Sequence, residues 1–516
     1  MSQSAPGIDP TFLDLPYLKL ADAALQRARD FGVAHADFRF ERVRVQSLGA
    51  RDGVIQSASD AEDIGFAVRV VHQGAWGFAS GVVLTTDEAV RVAETAINVA
   101  QVASSMISSP IELAPEPVYA DATWVSSYQV NPFDIATADK AALLVEWTDR
   151  LRKSPIVEHA TAELDQVQEN KFYADLAGTR TTQQRIRVQP GFEAMGTDQA
   201  SGVFDSMRSI APPVGRGWEF ITGGPAKGGW DWDAELAETP ELLAAKLAAP
   251  SIEAGTYDLV IHPSNLWLTI HESIGHATEL DRALGYEANY AGTSFATYDK
   301  LGNLQYGSPV MTVTGDRTVE HGLSTIGYDD EGVQTQSWDI VKDGILVGYQ
   351  LDRAMSYLKP ELNSVDGGGR SNGCAFADSP GHIPIQRMAN VSLQPAADGP
   401  STDELIGRVE RGLYVVGDRS WSIDMQRFNF QFTGQRFFRI ENGKLAGQVR
   451  DAAYQATTTD FWNSLEAVGG PDTWELGGAF NCGKAQPGQV AAVSHGCPTS
   501  LFRNVRILNT TDEAGR

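Results

Sequence analysis

Cysteine is scarce in this chain: there are three in 516 residues. That is too few for a disulfide scaffold and matches what a reducing compartment tolerates. No apolar run approaches the roughly 18 residues that a membrane-spanning helix needs. Positive charge is also short, with 41 Lys and Arg against 66 Asp and Glu and a net charge of −25. Such a surface repels phosphate backbones, which excludes nucleic acid as an expected partner. Its expected role is solubility. The leading stretch Met1 to Thr11 has neither the basic n-region nor the apolar h-region of a signal peptide. Low-complexity tracts and coiled-coil repeats are lacking as well. The expectation is a cytoplasmic protein with no membrane partner.

What is present is ample core material, 42% hydrophobic and 9% aromatic. The length implies two or more domains, because single cores stop growing near about 250–300 residues. Leu18, Ala21, Leu25 and Ala28 form one face of a helix over 15–32, stopped at Gly32. Phe38 and Phe40 open an alternating strand, Asp52-Gly53 turns the chain, and Phe66, Val68 and Val70 line the next strand. Thr85 to Glu88 reads as a capping box for a helix with Val90, Ala93, Ile97 and Ala100 inward. A helix carrying Leu144, Trp147 and Leu151, then strands near 161–164 and 186–188, repeats that order faintly.

The glycine pairs at 223–224 and 228–229 mark the expected domain boundary. The fold class expected is α+β. An N-terminal layered domain with an antiparallel sheet, residues 1–235, precedes a mostly β, barrel- or sandwich-like domain, residues 236–516.

The second half carries the chemistry. Tyr257 to Ile261 reads as a buried strand, His262-Pro263-Ser264 as a turn, and Leu266 to Ile270 as a helix leading into His271-Glu272-Ser273-Ile274-Gly275-His276. Two imidazoles and a carboxylate are the parts of a metal site with its own general base. Zinc proteases of the common pattern space their histidines four apart, on one helix face. Here they are five apart, which leaves them roughly 140° apart on a regular helix. One ion cannot hold both unless the helix is distorted, and a π-type turn near Gly275 supplies that distortion.

A catalytic zinc takes a third protein ligand and keeps a fourth position for water. Thiolate candidates are Cys374, Cys482 and Cys497. Cys482 lies in a small-residue loop, Gly477 to Lys484, where Lys484 is expected to help hold a thiolate. Cys374 reads as structural, and Cys497 beside His495 is an alternative pair. Glu279 and Asp281 are candidates to orient an imidazole from behind. Arg353, Arg370 and Arg387 are expected to pair with internal carboxylates, or one of them to clamp a peptide carboxyl group. His262 and His321 read as non-ligands.

The His-Glu-x-x-x-His helix and the Cys-Gly-Lys loop resemble the TldD/PmbA family of metallopeptidases. Asp329-Asp330-Glu331-Gly332, Gly348 to Arg353, Gly369-Arg370-Ser371, Arg387 to Asn390 and Gly496 to Thr499 continue the likeness in order. It is strong over 250–510 and looser over the first 230 residues. It implies zinc held by His271, His276 and Cys482 with Glu272 as base. It also implies short or unfolded peptides as substrate, paired to an edge strand, and a homodimer or a heterodimer with a related subunit. Trp421 to Phe430 departs from the family pattern, being more aromatic and more charged, and bears on substrate preference. Two rival readings are a peptide-binding or structural subunit with a vestigial motif, and a thiol hydrolase with Cys482 as nucleophile and His495 as base.

Overall fold

The computed structural model describes residues 7–365 and 368–513; the first six residues of the leading stretch lie outside them. The N-terminal half is built on two long hairpins. His35–Arg51 pairs with Val54–His72 and, on its other side, with His159–Asp175, which pairs in turn with Arg180–Thr197. All three pairings are antiparallel, within a seven-stranded sheet that gains one parallel edge pairing at Ala122–Val125.

The two-residue period of a strand sends alternate side chains to opposite faces. Phe38, Phe40, Leu48 and Ala50 therefore share one face. The first pair packs under helices Tyr17–Asp30 and Thr86–Ser104, the second under Thr137–Leu151 and Trp232–Leu247. The faint repeat in the sequence thus becomes two helix pairs side by side on one sheet. Thr85 caps its helix by accepting from the Glu88 backbone, while the Glu88 carboxylate pairs with Arg91 rather than closing a reciprocal box. Leu236, Leu243 and Leu247 lie in the N-terminal cluster, so that core runs on past residue 235.

The opposite face of the sheet is charged and buried. Arg39 donates to the Ser379 and His382 carbonyls, Lys171 reaches Asp330 at 2.8 Å, and Arg69 reaches Glu331 at 2.9 Å. These bonds fix the second half against the first. A buried ion that loses its partner costs several kcal/mol, so their register is strongly enforced.

The C-terminal half contains a closed five-stranded barrel. Around it run Arg411–Ile423, Gly255–Ile261, Ser500–Asn509, Ala452–Thr457 and Asn429–Glu441, and the last pairs back with the first. Closure removes the exposed edges that a sheet of this size would present. Phe430, Phe432, Tyr454, Phe461 and Phe502 belong to its aromatic core. The expected mostly β half is therefore built around a barrel, with a separate four-stranded sheet beside it. Among the described residues no helix is long and apolar enough to cross a membrane.

Candidate metal centre

The barrel strand Gly255–Ile261 feeds helix Pro263–Ile270, whose first turn is capped by the His262 ring accepting from the Ser264 amide. The next turn, His271–Gly275, is a π-turn. Widening a helix frees carbonyls, and buried carbonyls need donors. Tyr306 donates to Ser273 O, Gln350 Nε2 to Gly275 O at 2.7 Å, and Thr278 Oγ1 to Ile274 O at 2.8 Å. Gln350 also accepts from the Ala389 amide, which ties two of the family-like stretches to this turn. A Cβ at Gly275 would meet the Met388 sulfur at 2.5 Å, so that thioether packs directly on the glycine.

The π-turn brings the two imidazoles to ring-centroid separation 4.7 Å. Cys482 joins them from strand Trp474–Lys484, where the register with Gln489–Pro498 shifts between Ala479 and Cys482. The expected small-residue loop is thus a bulged strand, and the bulge turns the thiol inward. The donor atoms of His271, His276 and Cys482 lie within 4.8 Å of one another, all three buried. Cys482 Sγ stands 3.6 Å from His276 Nε2. A tetrahedral zinc with bonds of about 2.3 Å to sulfur and about 2.0–2.1 Å to nitrogen has S–N edges of roughly 3.5 Å. The donor set fits that ion.

The outer ring nitrogens are held. His495 donates from Nδ1 to the Val391 carbonyl at 2.8 Å, which leaves its Nε2 as acceptor for His271 Nδ1–H at 2.7 Å. The lone pair of His271 is therefore on Nε2, the inner atom. Burial, and then the neighbouring His271, push the His495 ring well below the ordinary histidine range, which keeps it a neutral acceptor.

His276 Nδ1 lies 3.0 Å from Glu279. Burial alone would raise the Glu279 carboxyl, but Lys484, His276 and Arg282 outweigh it and hold it well below the usual range. The Cys482 thiol is likewise raised by burial and lowered more strongly by His276 and Arg387, so it is held below its ordinary value.

Several sequence expectations change here. Lys484 does not touch the thiol; it bonds to Asp281 at 2.8 Å, Glu279 at 3.2 Å and Gln386. Asp281 therefore stands behind Glu279 and Lys484, with no bond to an imidazole. Arg370 pairs with Glu116 as expected, but Arg353 donates to the Ala114 carbonyl and Arg387 to the Cys482 and Gln489 carbonyls.

Cys374 and Cys497 are buried away from the cluster, beside Asn372 and the Pro263 carbonyl. His495 is turned to His271 and not to Cys482, which removes the arrangement that a thiol hydrolase requires. Two residues escaped the sequence reading in their present roles, His495 behind His271 and Arg427 beside Glu272. The excess charge of Trp421 to Phe430 was the only signal for Arg427.

A family model described as PmbA/TldA metallopeptidase C-terminal domain matches residues 254–509, and one for domain 1 matches 36–100. The chain belongs to the TldD/PmbA metallopeptidase family. Among its relatives, a metalloprotease of Methanothermobacter thermautotrophicus is 27% identical over 93% of this chain and 96% of its own length. A metalloprotease TldD homolog of Haemophilus influenzae is 26% identical over 93% of each chain. A zinc metalloprotease TldD homolog of Saccharolobus solfataricus is 23% identical over 94% of this chain and 98% of its own.

The TldD/PmbA fold is shared with solved structures. A Thermotoga maritima protein superposes with TM-score 0.74 at 16% identity, covering 95% of this chain and all of the other. TldE from Thermococcus kodakarensis does so with TM-score 0.68 at 16% identity, over 94% and 99%.

Proposed function

We propose that this TldD/PmbA member is a zinc-dependent peptidase that hydrolyses short or unfolded peptides, with His271, His276 and Cys482 as zinc ligands and Glu272 as general base. The observation that carries the reading is the convergence of three deprotonatable donors within 4.8 Å, with a carboxylate on the same π-turn. The zinc named for a relative supports the choice of metal.

When bound, the ion lowers the pKa of a coordinated water and polarises the scissile carbonyl. The protein's own groups do the rest. His495 and Glu279 fix the imidazole tautomers, so both inner nitrogens present lone pairs. Glu272 takes a proton from the attacking water as its oxygen bonds to the carbonyl carbon. It returns that proton to the amine nitrogen as the C–N bond breaks. Water is consumed, and a carboxylic acid and an amine are released.

We place the protein in the cytoplasm, with peptide held by backbone pairing to an edge strand. Its partner is a second copy or a related subunit. The first domain ends with helix Trp232–Leu247, which packs on its core, and the second begins at strand Gly255–Ile261.

The test joins zinc content with cleavage of a mixed peptide library. Stoichiometric zinc and hydrolysis are expected, and Glu272→Gln should lose about 10²–10⁴-fold in turnover while keeping its metal. Zinc-free, inactive protein would favour the peptide-binding subunit instead. Hydrolysis retained by the Gln variant would remove Glu272 from its role.

A further inference from the structure

The general base is engaged in an ion pair. Arg427 Nη1 donates to Glu272 Oε2 at 2.6 Å, and both side chains are largely buried. The rest of this guanidinium is poorly supplied: Nη2 reaches the Ala291 carbonyl at 3.3 Å, and Nε has no partner among the described residues. Five donors in a planar fork suit a carboxylate taken with two parallel bonds, and among the described residues only one of Glu272's oxygens is engaged.

The backbone shows the same purpose. Arg427 sits at φ +63°, in the left-handed region where glycine or asparagine is the usual choice. It is at the tip of the hairpin between Arg411–Ile423 and Asn429–Glu441, in a turn clamped by Asp424. That carboxylate accepts from the Gln426, Phe428 and Asn429 amides. The Arg427 carbonyl is held by Thr458 Oγ1 at 2.8 Å. An unfavourable conformation kept by its surroundings beside a reactive group points to a use for the side chain. The other candidate clamps are occupied, Arg370 by Glu116 and Arg387 by carbonyls.

We propose that Arg427 is the substrate-carboxylate site: it exchanges Glu272 for a carboxylate of the bound peptide and thereby releases the base. The inference rests on Glu272 as base. The 2.6 Å contact ties the Glu272 carboxylate to the guanidinium, so the resting pair is a latch. An incoming anion of the same kind keeps the guanidinium paired, and the Glu272 carboxylate it displaces is left facing the metal-binding side chains. Because Arg427 touches Glu272 directly, that carboxylate belongs to a residue adjoining the bond under attack. It is either the terminal α-carboxylate, which makes the enzyme act from the C-terminus, or an Asp or Glu side chain.

The test uses full-length, zinc-loaded protein and three versions of one unstructured pentapeptide: a free C-terminal acid, the C-terminal amide, and the amide with Asp at its last position. Wild type should prefer the free acid over the amide in kcat/KM by about ten- to hundredfold, the span of a charge-assisted bond. Faster cleavage of the Asp amide than of the plain amide, with the free acid no better than the amide, would identify the side-chain carboxylate as the ligand instead of the terminus.

Calorimetry gives a second readout that needs no turnover. Glu272→Gln, having lost the competing anion, should bind the free acid more tightly than wild type does, and the amide no better. Arg427→Gln should bring acid and amide to within about twofold of each other, and Arg427→Lys should lie between, since its point charge lacks the fork. Equal handling of all three peptides by wild type in both assays, or a preference that survives Arg427→Gln, overturns the proposal. If no peptide is hydrolysed at all, the peptidase reading fails, and the binding arm still decides Arg427.

Discussion

His271 Nδ1 donates to His495 Nε2 across 2.7 Å, although 224 residues separate them in the chain. A histidine behind a metal-facing histidine is an uncommon support, because either ring could carry the shared proton. The Val391 carbonyl resolves it by taking the His495 Nδ1–H. His495→Phe should therefore keep the ring volume but leave His271 free to adopt the wrong tautomer. Zinc affinity should fall about 10–100-fold, measured by competition with a chromophoric chelator. An unchanged affinity would show that His271 is oriented without it.

Lys484 is fully buried between Glu279 and Asp281, at 3.2 and 2.8 Å. Lys484→Met keeps the length of the side chain and removes the charge, leaving two buried carboxylates to repel each other. A loss of about 3–5 kcal/mol in unfolding free energy follows from breaking a buried pair on one side. Denaturant titration checks it, and Asp281→Asn in the same background should recover part of the loss.

Asp352 caps helix Arg353–Leu358 through the Met355 amide. Burial, and then the nearby Glu331, push its carboxyl up to about 7. A carboxyl raised in the folded state binds its proton more tightly there than in the unfolded chain. Stability contributed by that proton is fully present below the unfolded value of about 4 and is lost as pH rises through about 7. Asp352→Asn, which caps equally well, should be stabilising by about 2–4 kcal/mol near pH 8 and close to neutral near pH 4. Thermal melts of the two proteins across that range measure the crossing.

The three thiols differ in reactivity. Burial pushes Cys374 up to about 12 and Cys497 well above its ordinary value, whereas His276 and Arg387 hold Cys482 low. In metal-stripped protein near neutral pH, iodoacetamide should label Cys482 first, and added zinc should protect it. Peptide mapping by mass spectrometry reads the result. Labelling of Cys482 that zinc leaves unaffected would remove the thiol from the ligand set.

The sequence by itself determined the local parts. Helical periodicity placed Tyr17–Asp30 and Thr137–Leu151, alternation placed Phe38 and Phe40 on a strand, and the five-residue interval between His271 and His276 demanded a widened turn. These follow from backbone period and side-chain volume, which act over a few neighbours. Which cysteine stands near the histidines was legible only through family likeness, because three thiols were available and spacing over two hundred residues carries no geometry.

Tertiary structure alone decided what lies behind the site. The bulge that turns Cys482 inward, the His495 ring behind His271, the placement of Lys484 on Glu279 and Asp281, and the Arg427–Glu272 pair all join distant segments. Their partners are chosen by which buried charge or lone pair would otherwise go unmet, and that becomes defined only once the barrel and the paired strands Trp474–Lys484 and Gln489–Pro498 have closed around them.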